Sequence, residues 1–199
     1  MTHWFRRIFI ASLSLMIVAC QGQESARPAY QGTDISSMQL GSDFTLTDHH
    51  GKKRRLSEFH GKAVVLFFGY IHCPDVCPTT LAELASTMKK LGSDADRVQV
   101  LFVSVDPERD SAEQMAAYVT AFDPRFIGLS GSTSDITNVA RAYKIVHEKR
   151  GDIASGNYTI DHSAASFLFD PQGKLQVMIP YGGGSDMFVH DLKIVLSRH

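Results

Sequence analysis

Ten residues, Gly69-Tyr-Ile-His-Cys-Pro-Asp-Val-Cys-Pro78, constrain the fold more than any other stretch of the chain. They follow a run without a polar residue, Ala63 to Phe68, and precede helical periodicity from Thr79 to Leu91. Two thiols, Cys73 and Cys77, therefore sit where a strand hands over to a helix. A helix N-terminus stabilises negative charge, so this junction favours thiolate. If the first turn is helical at the motif, positions i and i+4 share a face, with Cβ atoms about 5–6 Å apart. Sulfurs that close bind one metal ion or, after a small adjustment, form a disulfide.

A short continuous apolar run such as Ala63–Phe68 fits a strand covered on both faces. Val98–Val105 is a second such strand. Upstream, Phe44–Thr47 alternates and meets the turn Asp48-His-His-Gly51, which predicts an N-terminal β-hairpin. Leu56–Phe59 reads as a helical turn with Ser57 as its cap. Downstream, Leu81, Leu84, Ala85, Met88 and Leu91 form a helical stripe, capped by Thr79 or Thr80 and ended by Gly92. Ser111 caps a helix to Phe122, Phe126–Leu129 is a strand, and Ser134 or Asp135 opens a helix to about Tyr143. Lys144–Glu148 reads as a strand and Lys149–Asn157 as an exposed, Gly-bearing loop. Ala165–Phe169, the turn Asp170-Pro-Gln-Gly173 and Leu175–Ile179 form a hairpin, and a helix closes the chain from Ser185 to Leu196. Strand–helix alternation ending on an antiparallel hairpin predicts an α/β, thioredoxin-like fold, a central mixed sheet flanked by helices.

The N-terminus carries different signals. Arg6-Arg7 precede a run from Ile8 to Ala19 that is apolar or small apart from Ser12 and Ser14. It is shorter than the roughly 20 residues of a spanning helix and has the length of a signal-peptide core. Its end, Ile17-Val-Ala-Cys20, looks like a bacterial lipoprotein box, which implies cleavage before Cys20 and lipidation of that thiol. The expected organisation is a lipoprotein signal peptide over 1–19, a lipid-anchored tether over 20–40 and a thioredoxin-like domain over 41–199. The domain is then periplasmic, on the extracytoplasmic side of a bacterial membrane. Net charge is −1, and removing two arginines with residues 1–19 leaves −3. Nucleic-acid binding, which calls for a basic bias, is not expected.

Of three cysteines only Cys73 and Cys77 lie in the body, so they are its whole soft-ligand and redox inventory. Soft thiolates favour Cu(I), and a neutral imidazole suits Cu(II) as well. A third ligand has to come from among nine histidines. His49, His50 and His60 read as solvated turn residues, although a His-His pair also suits a metal. His147 and His190 fall in strand or helix, and His72 beside Cys73 points away. His162 sits in a loop entering a strand, next to Asp161, an acid placed to orient it. Local features leave it one candidate among several. Asp75 and Asp106-Pro107 read as loop or strand terminators. A structural disulfide across so short a loop contributes little stability.

The motif Gly69–Pro78 is similar to the signature of the SCO/SenC family of copper-binding proteins. So are Val103-Ser-Val-Asp-Pro-Glu-Arg-Asp110, Tyr158-Thr-Ile-Asp-His-Ser163 and Phe167-Leu-Phe-Asp-Pro-Gln-Gly173, in the same order. The resemblance implies a thioredoxin-like domain holding one copper, Cu(I) or Cu(II), through Cys73, Cys77 and His162. It implies delivery of copper to the binuclear copper site of cytochrome c oxidase, or reduction of that site's thiols, during assembly. The partners implied are the oxidase's copper-site subunit, an extracytoplasmic thiol reductant, another copper chaperone and the membrane itself. Such a protein is a metallochaperone rather than an enzyme. The alternative is a thiol–disulfide oxidoreductase or redox-signalling protein working through Cys73 and Cys77. The lipoprotein box departs from the transmembrane helix common in the family and leaves open which membrane holds the domain.

Overall fold

A computed structural model describes residues 29–198. The expected signal segment, Cys20 and the start of the tether lie outside the described residues. Among the described residues, ten strands and four α-helices follow one another as β1 (Thr33–Asp34), β2 (Thr45–Asp48), β3 (Lys53–Arg55), β4 (Ala63–Gly69), α1 (Val76–Leu91), β5 (Val98–Ser104), α2 (Ala112–Phe122), β6 (Ile127–Ser130), α3 (Thr133–Ala142), β7 (His147–Asp152), β8 (Asn157–His162), β9 (Ser166–Phe169), β10 (Leu175–Ile179) and α4 (Gly184–Leu196). Short 3₁₀ turns occupy Leu56–Phe59 and Gly92–Arg97.

Eight strands form one sheet in the order β1-β10-β9-β4-β5-β6-β2-β3. β4, β5 and β6 are parallel, and the strands outside them run antiparallel to their neighbours. The sheet is thus mixed, as the strand–helix alternation requires. Every residue of β4 and of β5 is buried, which explains why β4 is a continuous apolar run and β5 is one apart from Gln99 and Ser104, rather than alternating. On one face Phe67 meets Phe102, and Phe102 meets Tyr118 of α2. On the other face Tyr143 packs against Phe44, Phe68, Phe167 and Phe169. The alternation of Phe67 and Phe68 between the two faces gives each its own aromatic layer.

Four expectations about the elements around the site differ from the structure. First, the tether is already part of the fold before residue 40. Thr33 and Asp34 pair with β10, Ile35 is buried, and the N–H groups of Gln31 and Gly32 each donate to the buried Asp191 carboxylate at 2.8 Å. A two-residue strand leaves no periodicity to read. Second, α1 begins at Val76 rather than near Thr79. Thr79 Oγ1 donates to Asp75, and Thr80 Oγ1 to its own helix at Val76 O, so neither caps. Pro78 fits within the first turn, where its missing N–H costs no helical bond. Third, Ser57 caps nothing; its N–H and hydroxyl both donate to Asp43. Fourth, Lys149–Asn157 is not an open loop. β7 and β8 pair antiparallel from His147↔His162 to Asp152↔Asn157 as a separate two-stranded sheet. β7 is mostly exposed and so lacks an apolar face. Charges support it instead, with Arg150 bonding Glu148 at 2.7 Å and Asp161 at 3.1 Å, and Lys149 bonding Glu108 at 2.7 Å.

Two helix starts follow standard capping chemistry. Ser111 and Gln114 form a capping box on α2, and Ser132 and Asp135 form one on α3. Ser132 thus opens α3 two residues before the expected Ser134.

Candidate metal centre

The C-terminal end of β4 delivers Gly69, and the chain then loops through Cys73 into α1. A Cβ placed on Gly69 lies 2.7 Å from Cys77 Sγ and 2.8 Å from a Phe102 ring carbon. The missing side chain is therefore the seat of the Cys77 sulfur. Cys77 is fully buried as the second residue of α1, whereas Cys73 precedes the helix and is half-buried. The two are not stacked on one helical face, as an i, i+4 spacing within a helix predicts. Instead the Cys73 sulfur stands at the helix start and accepts the Cys77 N–H at 3.4 Å. Asp75, the residue at the cap position, makes no side-chain capping bond. A sulfur thus meets the helix N–H groups that have no intrahelical acceptor.

This placement divides the two thiols. The Cys77 thiol, hydrogen-bonded to the Cys73 sulfur, together with the backbone N–H groups of Cys77 and Asp75, holds the Cys73 pKa down at about 5. Cys77 is pushed up, first by that same thiolate neighbour and then by burial. Both thiols are free. At neutral pH the metal-free pair is one thiolate and one thiol.

His162 ends β8, and its Nε2 lies 3.3 Å from Cys77 Sγ. Its ring packs edge-on to Phe67 and Tyr70. Nδ1 is 3.1 Å from the Ser163 carbonyl oxygen, which only accepts. The proton is therefore on Nδ1, and the Nε2 lone pair faces the sulfurs, the tautomer a metal ligand needs. Asp161, expected to orient this ring, points outward and pairs with Arg150. A backbone carbonyl does the orienting.

Cys73 Sγ, Cys77 Sγ and a His162 nitrogen all lie within 4.8 Å of one another, the one such three-residue group among the described residues. Ligand atoms bonded to a common ion at about 2.0–2.3 Å are at most about 4.6 Å apart. The set therefore fits one soft or borderline ion after a shift of a few tenths of an ångström. An open cleft of about 350 Å³ lined by Tyr70, Cys73, Pro74, Asp75, Ile160 and His162 gives access to it.

The other described histidines are not part of this group, although His147 stands directly across the hairpin from His162. His49 is buried rather than solvated. Its Nδ1 accepts the Gly128 N–H at 3.0 Å, so its Nε2 carries the proton and donates to His50 Nε2 at 3.0 Å. That proton argues against a metal between the two rings. His72 is exposed, with Nδ1 3.5 Å from the buried Asp110 carboxylate. His60 is exposed, and His190 bonds Asp191 at 2.8 Å.

Residues to which the sequence assigned no part in the site build its walls. Asp110 Oδ2 accepts the Ile71 N–H at 3.1 Å and the Ser104 hydroxyl at 2.6 Å, fixing the cysteine loop to β5. Burial pushes the Asp110 pKa up. Asp106, taken as a strand terminator, is fully buried and accepts the Tyr158 hydroxyl at 2.8 Å and Arg109 Nε. Tyr70 OH accepts the Ile160 N–H at 3.1 Å.

Comparison with known proteins places this geometry. The family model described as SCO1/SenC matches residues 32–197. The mouse mitochondrial protein named SCO2 homolog is 41% identical over 170 residues, covering 83% of this chain and 67% of its own. The chain spans about half to two thirds of the length of such curated relatives. Among solved structures, Bradyrhizobium japonicum ScoI with copper bound is 39% identical with a TM-score of 0.72, covering 79% of this chain and 99% of its own. Apo Sco1 from Thermus thermophilus is 40% identical with a TM-score of 0.74, covering 86% and 99%. The thioredoxin-like fold and the match over nearly all described residues lead to one assignment: the chain belongs to the SCO1/SenC family.

Proposed function

We propose that this protein is an extracytoplasmic copper carrier that supplies the binuclear copper site of cytochrome c oxidase during assembly. One copper is the cargo, held by Cys73, Cys77 and His162. The observation that carries this is the convergence of two sulfurs and an imidazole nitrogen, its lone pair free, at the end of the central strand. Relatives whose solved structures contain copper support the choice of metal. Two sulfurs suffice for Cu(I), and the imidazole extends the set to Cu(II). The half-buried Cys73 at the cleft is the ligand an acceptor reaches first, so handover proceeds by exchange of sulfur ligands there. Cys20, by the lipoprotein-box reading, anchors the chain to the membrane; no described helix is long and apolar enough to cross one.

The unequal thiols favour a second role for the same pair, reduction of the acceptor's thiols. Cys73 thiolate attacks one sulfur of the acceptor disulfide and displaces the other as a thiolate. Cys77 then attacks Cys73 of the mixed disulfide, releasing the second acceptor thiol and leaving a Cys73–Cys77 disulfide. Two electrons pass to the acceptor, and an extracytoplasmic thiol reductant restores the pair.

The test is oxidase copper-site assembly in cells lacking this protein, complemented with wild type, Cys73→Ser or His162→Ala, with and without added copper. Copper delivery predicts that both variants fail and that added copper restores assembly. Retained function in His162→Ala with failure of Cys73→Ser would leave thiol reduction alone.

A further inference from the structure

The three ligand atoms come from two bodies that share no sheet. The cysteines ride on β4 and α1 of the main sheet, whereas His162 rides on the β7–β8 hairpin. Something must set the distance between them. We propose that Arg109 is the positioning residue for His162, holding the hairpin at the depth where the imidazole meets the two sulfurs.

The contacts are specific. Arg109 Nη1 donates to the carbonyl oxygens of Tyr158 at 2.8 Å and Gly156 at 3.2 Å. Its guanidinium lies 3.5 Å above the Tyr158 ring centroid. Nε is anchored on Asp106, which also accepts the Tyr158 hydroxyl. Arg109 therefore grips β8 on backbone and ring at once, four residues before His162. It belongs to the turn that follows β5, the same turn whose Asp110 fixes the cysteine loop through Ile71 N–H. One short segment, Ser104 to Asp110, thus references both halves of the site to β5. A planar fork with fixed donors suits this better than an ammonium, which reaches one acceptor at a time. Tyr70 adds a tie of its own, accepting the Ile160 N–H from the cysteine-loop side.

The consequence for the ligand set is selective, and it rests on the copper reading above. Loosening the hairpin removes the imidazole and leaves both sulfurs in place. Cu(II), which needs the nitrogen, is lost; Cu(I), which two thiolates satisfy, is kept. Partners that orient a metal ligand typically change affinity about 10–100-fold when removed.

The test uses the full chain with Arg109→Met, which keeps the bulk of the side chain. Tyr158→Phe, which removes only the hydroxyl bond to Asp106, serves as the milder variant should the first fold poorly. Hydrogen exchange in the metal-free protein reads the clamp directly. Ile160 N–H is expected to exchange at least about tenfold faster in Arg109→Met, with Leu66 on β4 unchanged, because local opening raises exchange only where contacts are lost. Copper titration is expected to show Cu(II) affinity about 10–100-fold weaker, a changed sulfur-to-Cu(II) absorption band, and Cu(I) affinity within about threefold of wild type. Unchanged Ile160 exchange with unchanged Cu(II) binding would overturn the proposal while leaving the copper site standing. Parallel loss of Cu(I), Cu(II) and melting temperature would overturn it in favour of a purely structural role. Faster exchange at Ile160 in Arg109→Met than in wild type, with no copper bound by either protein, would uphold the clamp and refute the copper reading instead.

Discussion

Gly69→Ala probes the site from beneath. The added Cβ lies 2.7 Å from Cys77 Sγ, 2.8 Å from a Phe102 ring carbon and 3.3 Å from a Phe67 ring carbon. Ordinary contacts of this kind are about 3.5–4.0 Å, so the gaps to the sulfur and to the Phe102 ring both have to open by about 1 Å. Phe102 and Phe67 are fully buried in the aromatic layer of that face, so the backbone at residue 69 lifts away from the rings. Cys77 is held by the first turn of α1, and its sulfur is pushed along with this shift. Overpacking of this size costs about 1–3 kcal/mol, which for a domain of this length lowers the melting temperature by about 2–12 °C. The larger effect falls on the ligand set, because Sγ leaves its position 3.3 Å from His162 Nε2. Both Cu(I) and Cu(II) affinities are expected to fall, in contrast to changes at His162 or Arg109 that spare Cu(I). Competition titration of each ion, with thermal unfolding of the metal-free protein alongside, gives the answer. Wild-type affinity for both ions in Gly69→Ala would refute the claim that this glycine seats the Cys77 sulfur.

Two further outcomes follow from named contacts. Alkylation of the reduced, metal-free protein by iodoacetamide should be confined to Cys73. Its thiolate fraction falls only as pH drops through about 5, so the rate should be flat near neutrality and halve near that pH; a profile rising through pH 8–9 would contradict the asymmetry of the pair. Asp191→Ala removes a charged acceptor from the N–H groups of Gln31 and Gly32 and from His190, and is expected to cost about 2–4 kcal/mol of stability, with faster amide exchange at both N-terminal positions; unchanged exchange at Gln31 and Gly32 would show that the first strand is held by other contacts.

The sequence carried the central sheet because its chemistry there is one-dimensional. Ala63–Phe68 is apolar without interruption, and Val98–Val105 is apolar apart from Gln99 and Ser104, because both faces are covered, and that pattern survives without knowledge of their neighbours. Ser111 announced its helix by a local capping box. The β7–β8 hairpin was not legible, since β7 is mostly exposed and held by charge pairs that impose no apolar period, and β8 alternates over only two buried residues, Tyr158 and Ile160, tied to Asp106, Arg109 and Tyr70. The start of α1 was misplaced for a related reason. Its first N–H groups meet the sulfur of Cys73, a cap that no propensity table assigns to cysteine.

The site was legible to different depths. The two thiols were evident from their scarcity and from their position at a strand–helix junction. His162 was not separable from other histidines by local features, and the neighbouring acid pointed to the wrong orienting group. The Nδ1 partner is the Ser163 carbonyl, which every residue type possesses and no sequence advertises. Only the ordered resemblance across four stretches singled out His162, and the hairpin register that brings it to the sulfurs is tertiary information. Arg109 and Asp106 were visible as a charged turn after β5, but their role depends on a strand about 50 residues later, beyond the range of any motif.

The central claim is that Cys73, Cys77 and His162 form one copper site in which the imidazole serves Cu(II) and the sulfurs alone serve Cu(I). The most direct measurement is parallel titration of the reduced protein and its His162→Ala variant with each ion under competing chelators. The account predicts one copper per chain in wild type, a loss of Cu(II) affinity of about 10–100-fold or more in the variant, and Cu(I) affinity within a few-fold of wild type. Equal Cu(II) affinity in the two proteins would contradict it.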